Sequence, residues 1–95
     1  MFTVDEIVRT ARMLGVKFDK FNVDDLVTGV GIELEHGTIS PETNVTNDNL
    51  MLTMKIALAH LNEFSDYYNK EYGLPALERL LQKKKSRANK NHWYY

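Results

Sequence analysis

The chain has no cysteine among its 95 residues. That excludes disulfides, thiolate zinc fingers and thiol catalysis, and it is compatible with a reducing cytoplasm. Only two prolines, Pro41 and Pro75, interrupt the sequence, so helices are permitted over most of its length. No apolar run approaches the roughly 20 residues that span a bilayer, and no membrane association is expected. Met1-Phe2-Thr3 leads straight to a helix-start signal, without the charged-then-apolar order of a signal peptide. A cytoplasmic location is therefore expected. Acid is missing from the end of the chain. All 13 acidic residues precede Lys83, with 7 of the 12 Lys and Arg, so residues 1–82 carry 7 − 13 = −6. Residues 83–95 hold the other 5 bases and no acid, giving +5. No phosphate loop, nucleophile elbow or cofactor motif is present, so the sequence predicts no enzyme and no cofactor.

What is there is helical periodicity. Thr3-Val4-Asp5-Glu6 has the capping-box spacing. Val4, Ile7, Val8, Ala11 and Leu14 follow on one face, and Gly15 is a C-terminal stop. Val16, Phe18 and Phe21 in the connector are expected to tuck into the core. Asn22, followed by Asp24 and Asp25, starts a second helix that Gly37 is expected to end. Val30, Ile32 and Leu34 also alternate as a strand would, but no second strand-like run exists to pair with them. Gly29 and Gly31 are expected to let a neighbouring helix approach. The stretch from Thr38 to Thr46 reads as a loop ordered by short polar side chains. It lacks the ligand order of a calcium loop. The longest helical stretch, Asn47 to Tyr68, is expected to be capped by Asp48, with Leu50, Met54, Ala57, Leu58, Leu61, Phe64 and Tyr68 as its stripe. Pro75 opens a fourth helix with Leu74, Leu77, Leu80 and Leu81 on its apolar side. The sequence thus predicts an all-α domain over residues 1–82, a bundle of about four helices around a central antiparallel hairpin. Residues 83–95 form a basic-aromatic tail or helix extension.

One constellation carries chemistry. Glu33 and His36, like His60 and Glu63, stand three residues apart and so lie one turn apart on a helix. If the second and third helices are antiparallel neighbours, all four side chains converge, with Tyr67 beside His60. The first reading is a structural polar network that fixes register, in which a Tyr67–His60 phenol–imidazole hydrogen bond is plausible. The alternative is a metal site of two imidazoles and two carboxylates, suited to zinc, iron or manganese. A third is acid–base catalysis by a His/Glu pair, which requires a substrate pocket. In the tail, Lys83, Lys84, Lys85, Arg87 and Lys90 precede Trp93, Tyr94 and Tyr95. Bases and aromatics in this order suit docking on a protein partner or on another copy of the chain. The alternative is phosphate contact and base stacking on a nucleic acid, which the acidic body opposes.

Three blocks, G-I-E-L-E-H-G from Gly31 to Gly37, T-N-V-T-N-D from Thr43 to Asp48, and K-I-A-L-A-H-L-N-E-F-S-D-Y-Y from Lys55 to Tyr68, resemble a small uncharacterised family of bacteria and their phages. The resemblance covers about half the chain. It implies a helical hairpin with Glu33, Glu35, His36, His60 and Glu63 inside its signature, and a phage or mobile-element context. It implies no activity. Ser65 stands where that family usually has proline, a departure expected to remove a helix kink. Together these observations point to a non-enzymatic protein-binding or structural module: a virion or assembly component, or an inhibitor of a host protein, located in the host cytoplasm or the virion.

Overall fold

The computed structural model describes residues 2–91, with side chains through residue 86. The partner contacts expected of the Arg87 and Lys90 side chains and of Trp93, Tyr94 and Tyr95 lie outside the described residues. Four α-helices are present among those described: α1 (Val4–Met13), α2 (Val23–Ile39), α3 (Leu50–Glu63) and α4 (Leu74–Asn91). No strand occurs there, and no helix is long and apolar enough to cross a membrane.

Local chemistry sets most helix ends. The Thr3 hydroxyl accepts from the Glu6 amide, and Glu6 accepts from the Thr3 amide at 3.0 Å. These bonds from Thr3 hold the Glu6 carboxyl below its usual range. Asn22 and Asp25 repeat the same reciprocal box on α2. At the end of α1, Gly15 takes φ +80°. Its amide then donates to the Arg12 carbonyl and that of Val16 to the Ala11 carbonyl, closing a Schellman motif. The connector buries Phe21, with Phe18 packed edge-on against it at 5.9 Å.

Three boundaries differ from the sequence reading. α2 runs past Gly37 to Ile39 and stops where Pro41 forces Ser40 into extended backbone (φ −145°, ψ 132°). Asp48 is not the cap of α3, because Asn47 and Asp48 both hold left-handed φ, 49° and 61°. The extended residue is Asn49, whose side chain accepts from the Leu52 amide at 3.0 Å. Asn44 instead donates to Asp48, and Thr46 lies under the loop, bonded to the buried Thr53 hydroxyl at 3.2 Å. At its far end α3 stops at Glu63 rather than Tyr68. Phe64 turns extended (φ −135°, ψ 107°) and is exposed, so it leaves the expected stripe. The chain breaks here although Ser65 could continue a helix.

α2 and α3 run antiparallel: Glu33 meets His60, while Gly37 and Ile56, each one turn further from that contact, line a common cleft. Ile7 and Ala11 of α1 cap this hairpin, and Leu26, Val30, Met54 and Leu61 fill its centre. Into the same core comes Tyr68, from the turn after α3. Its ring lies close to α2 at Gly29, where a Cβ would stand 2.6 Å from it. Gly29 thus admits an aromatic ring rather than a helix, and Gly31, with nothing within 4 Å, admits neither. α4 is the fourth expected helix, and its packing on the others is confined to its start. Leu74 packs on the core, but every residue from Leu77 to Ser86 is exposed. α4 therefore projects as an arm, and the described chain measures 54 × 29 × 20 Å.

The two glycines make opposite predictions. Gly31→Ala is expected to stabilise the protein by about 0.5–1 kcal/mol through helix propensity alone. Gly29→Ala gains the same propensity but displaces the Tyr68 ring, so a net loss of about 1–3 kcal/mol is expected. Urea unfolding of both variants measures this; equal effects would contradict the seating of Tyr68.

Candidate functional site

Glu33 projects from the middle of α2 into a nearly closed space, its side chain 11% exposed. An ionised carboxylate only accepts hydrogen bonds, and one placed there needs donors. Two arrive from elsewhere in the fold. The Tyr68 hydroxyl donates to Glu33 Oε2 at 2.5 Å. His60 Nδ1 stands 3.1 Å from the same oxygen and 2.9 Å from the Tyr68 oxygen. The phenol has one O–H, and it donates to the carboxylate. Nδ1 is therefore the protonated nitrogen, shared between the carboxylate and phenol oxygens. Among the described residues no buried side-chain nitrogen or oxygen lacks a partner.

The imidazole is also held by its faces. The Tyr67 ring stacks on His60 at 4.2 Å, nearly parallel, and Tyr68 meets it edge-on at 6.0 Å. The sequence predicted the phenol–imidazole hydrogen bond for Tyr67 and core packing for Tyr68. Tyr68 is buried in the core as expected, but it also makes the hydrogen bond expected of Tyr67, because α3 ends early: the turn after Phe64 sends Tyr68 inward beneath His60 and leaves Tyr67 to stack on it. Burial raises the Tyr68 phenol well above its ordinary range, and the hydrogen bond to Glu33 and the Glu33 charge act in the same direction. It stays a neutral donor.

The other two members of the sequence cluster do not join. His36 turns toward α4, where Nε2 stands 3.3 Å from Glu78, with both side chains nearly half exposed. Such a pair contributes about 0–1 kcal/mol. Glu63 is exposed on the outer side of α3. Glu33, His36, His60 and Glu63 are thus not assembled as a four-ligand set. Among the described residues no group of three or more His, Cys, Asp or Glu is arranged to hold a metal ion. The arrangement at Glu33 does chemical work inward, as a satisfied polar knot.

Outward from the knot lies a second feature that the sequence did not reveal. Tyr67 lines an open cleft of about 520 Å³ with Phe64, Asp66, Tyr72, Leu74 and Leu77. The turn that builds it is closed by Leu74 N–H on the Tyr67 carbonyl and by the Asn69 side chain, which accepts from the Glu71 and Tyr72 amides. Arg79 ties α4 to this turn by donating to the Lys70 carbonyl. Phe64 and Tyr72 are 59% and 67% exposed, and Leu77, Leu80 and Leu81 are 49%, 52% and 52% exposed. Lys83, Lys84 and Lys85 continue the same arm in solvent. Leu77, Leu80 and Leu81 were legible as an apolar helical side; that they stand exposed among the described residues was not.

A family model described as Protein of unknown function (DUF5661) matches residues 7–78. The match spans the polar knot and the aromatic junction and ends at Glu78, so the outer arm lies beyond it. No curated protein and no solved structure matches the chain.

Tyr68→Phe is expected to lower the unfolding free energy by about 1–3 kcal/mol at neutral pH, because the Glu33 carboxylate loses a donor. The raised phenol gives this contribution a pH limit. It is fully present below the ordinary tyrosine value of about 10 and is lost as pH rises above it, where the unfolded chain ionises and the folded one does not. The gap between wild type and Tyr68→Phe should therefore narrow in alkaline solution. Denaturant titrations at neutral and alkaline pH measure it, and a gap that stays constant contradicts the assignment.

Proposed function

Because the chain belongs to the DUF5661 family, whose description assigns no activity, we propose a function from the geometry: a non-enzymatic protein-binding module whose contact surface is the aromatic junction and the apolar side of α4. One observation carries this reading. Five large apolar side chains, Phe64, Tyr72, Leu77, Leu80 and Leu81, stand exposed along one junction and one helix. Contiguous apolar surface of this kind marks contact sites. The helix itself also calls for a partner. Helices owe most of their stability to packing of an apolar face, and beyond Leu74 that face is exposed among the described residues. An amphipathic helix offered to a groove or to another helix is a recurring mode of protein recognition.

The resemblance noted in the sequence adds a phage or mobile-element setting to this reading, with a virion or assembly component or a host-protein inhibitor as the task. Lys83–Lys85, exposed on the arm, support a second reading of phosphate contact with a nucleic acid. The −6 balance of residues 1–82 works against it.

A photo-crosslinking residue placed at Leu80, and separately at the exposed Lys55 of α3 as control, tests the surface in cells. Protein adducts are expected at Leu80 and not at Lys55, and Leu77→Ser with Leu81→Ser should remove them. Absence of adducts at Leu80, or equal yields at both positions, would overturn the reading.

A further inference from the structure

We infer that the surface of α4 and its aromatic junction binds a second copy of this chain, as an antiparallel pair of α4 helices. The inference rests on the protein-binding reading above and names the partner. Leu74, Leu77, Leu81 and Lys84 follow at i, i+3, i+7 and i+10, one side of the helix. The side is therefore apolar at its start and basic further out. Lys85 lies beside Lys84 and extends that basic end.

The junction at the base of the helix has the opposite charge. Between Glu63 and Tyr72, three acids, Glu63, Asp66 and Glu71, stand against Lys70, so the segment carries 1 − 3 = −2. Of these, Asp66 lines the same cleft as Leu74 and Leu77, while Glu71 stands exposed in the same turn and lines a neighbouring cleft. Each copy therefore has an acidic, apolar cleft at one end of the surface and a basic end about 10 Å along it, from the 1.5 Å rise per residue between Leu77 and Lys84. A surface with unlike charges at its two ends is complementary to itself only when reversed. A two-fold axis at the level of Arg79 meets that requirement: Leu77 faces Leu81 of the other copy, and Leu74 faces Lys84. The lysine stem then covers Tyr72 and Leu74 while its ammonium reaches toward Asp66. Contacts related by such an axis are made twice, which is how two-fold dimers commonly form. Arg79 and Glu78 do not interfere, because the first is bonded to the turn and the second faces His36.

Sedimentation equilibrium of the full chain over a range of concentrations tests this. A concentration-dependent shift from monomer mass toward twice that mass is expected, weakening with added salt and abolished by Leu77→Ser with Leu81→Ser. Charge exchange then tests the register. Asp66→Lys with Glu71→Lys makes both ends basic, and Lys84→Glu with Lys85→Glu makes both ends acidic. All four side chains are exposed, and circular dichroism confirms that each variant keeps its helices. Each variant alone should be monomeric, and an equal mixture should form a heterodimer. Wild type that stays monomeric throughout, or variants that associate alone as well as wild type does, would overturn the inference. A monomeric wild type that still yields adducts to another protein at Leu80 would overturn self-pairing while leaving the protein-binding reading intact. Absence of both would remove the two together.

Discussion

The fold depends on one buried carboxylate. Glu33 is held away from water, and its hydrogen-bond partners come from α3 and from the turn after it. Desolvating a carboxylate without donors costs several kcal/mol, so those partners are required rather than optional. His60 meets the requirement from within α3. Tyr68 meets it only if α3 ends by Phe64, because a continued helix would carry Tyr68 along the stripe and away from Gly29. The same turn that delivers Tyr68 sets the Leu74 amide on the Tyr67 carbonyl, and so fixes where α4 begins. The site and the arm are two consequences of one constraint.

That arrangement leaves the chain with an uneven distribution of apolar surface. A domain of this size buries a modest core, and here the core uses α1, α2, α3 and the Tyr68 ring. The leucines of α4 contribute nothing to it beyond Leu74. The hairpin and knot supply a base, and the helix they launch presents apolar and basic side chains to solvent. Tyr67 joins the two, stacking on His60 and lining the cleft.

Much of the architecture was legible because it is written in local chemistry. The boxes at Thr3 and Asn22 and the stop at Gly15 each depend on residues three or four apart, which sequence spacing displays directly. The antiparallel hairpin and the Glu33–His60 pairing followed from periodicity and loop length. What escaped was set by contacts distant in sequence. Leu61, Phe64 and Tyr68 continue the helical period, so only the pull of Glu33 on Tyr68 shows that the period is broken. Asp48 and Asn49 are both good caps, and backbone handedness decides between them. His36 and Glu63 have the right spacing to join the cluster, yet α4 draws His36 away and Glu63 stays on the rim. Amphipathic spacing in α4 revealed an apolar side without showing that it stands exposed among the described residues.

The central claim is that Glu33 and Tyr68 act as one unit that holds the turn and the base of α4. A double-mutant cycle of Glu33→Gln and Tyr68→Phe, followed by denaturant unfolding, measures that coupling directly. A coupling energy of about 1–2 kcal/mol is expected, with the double variant less destabilised than the sum of the single ones. Additive effects, within about 0.3–0.5 kcal/mol, would contradict it.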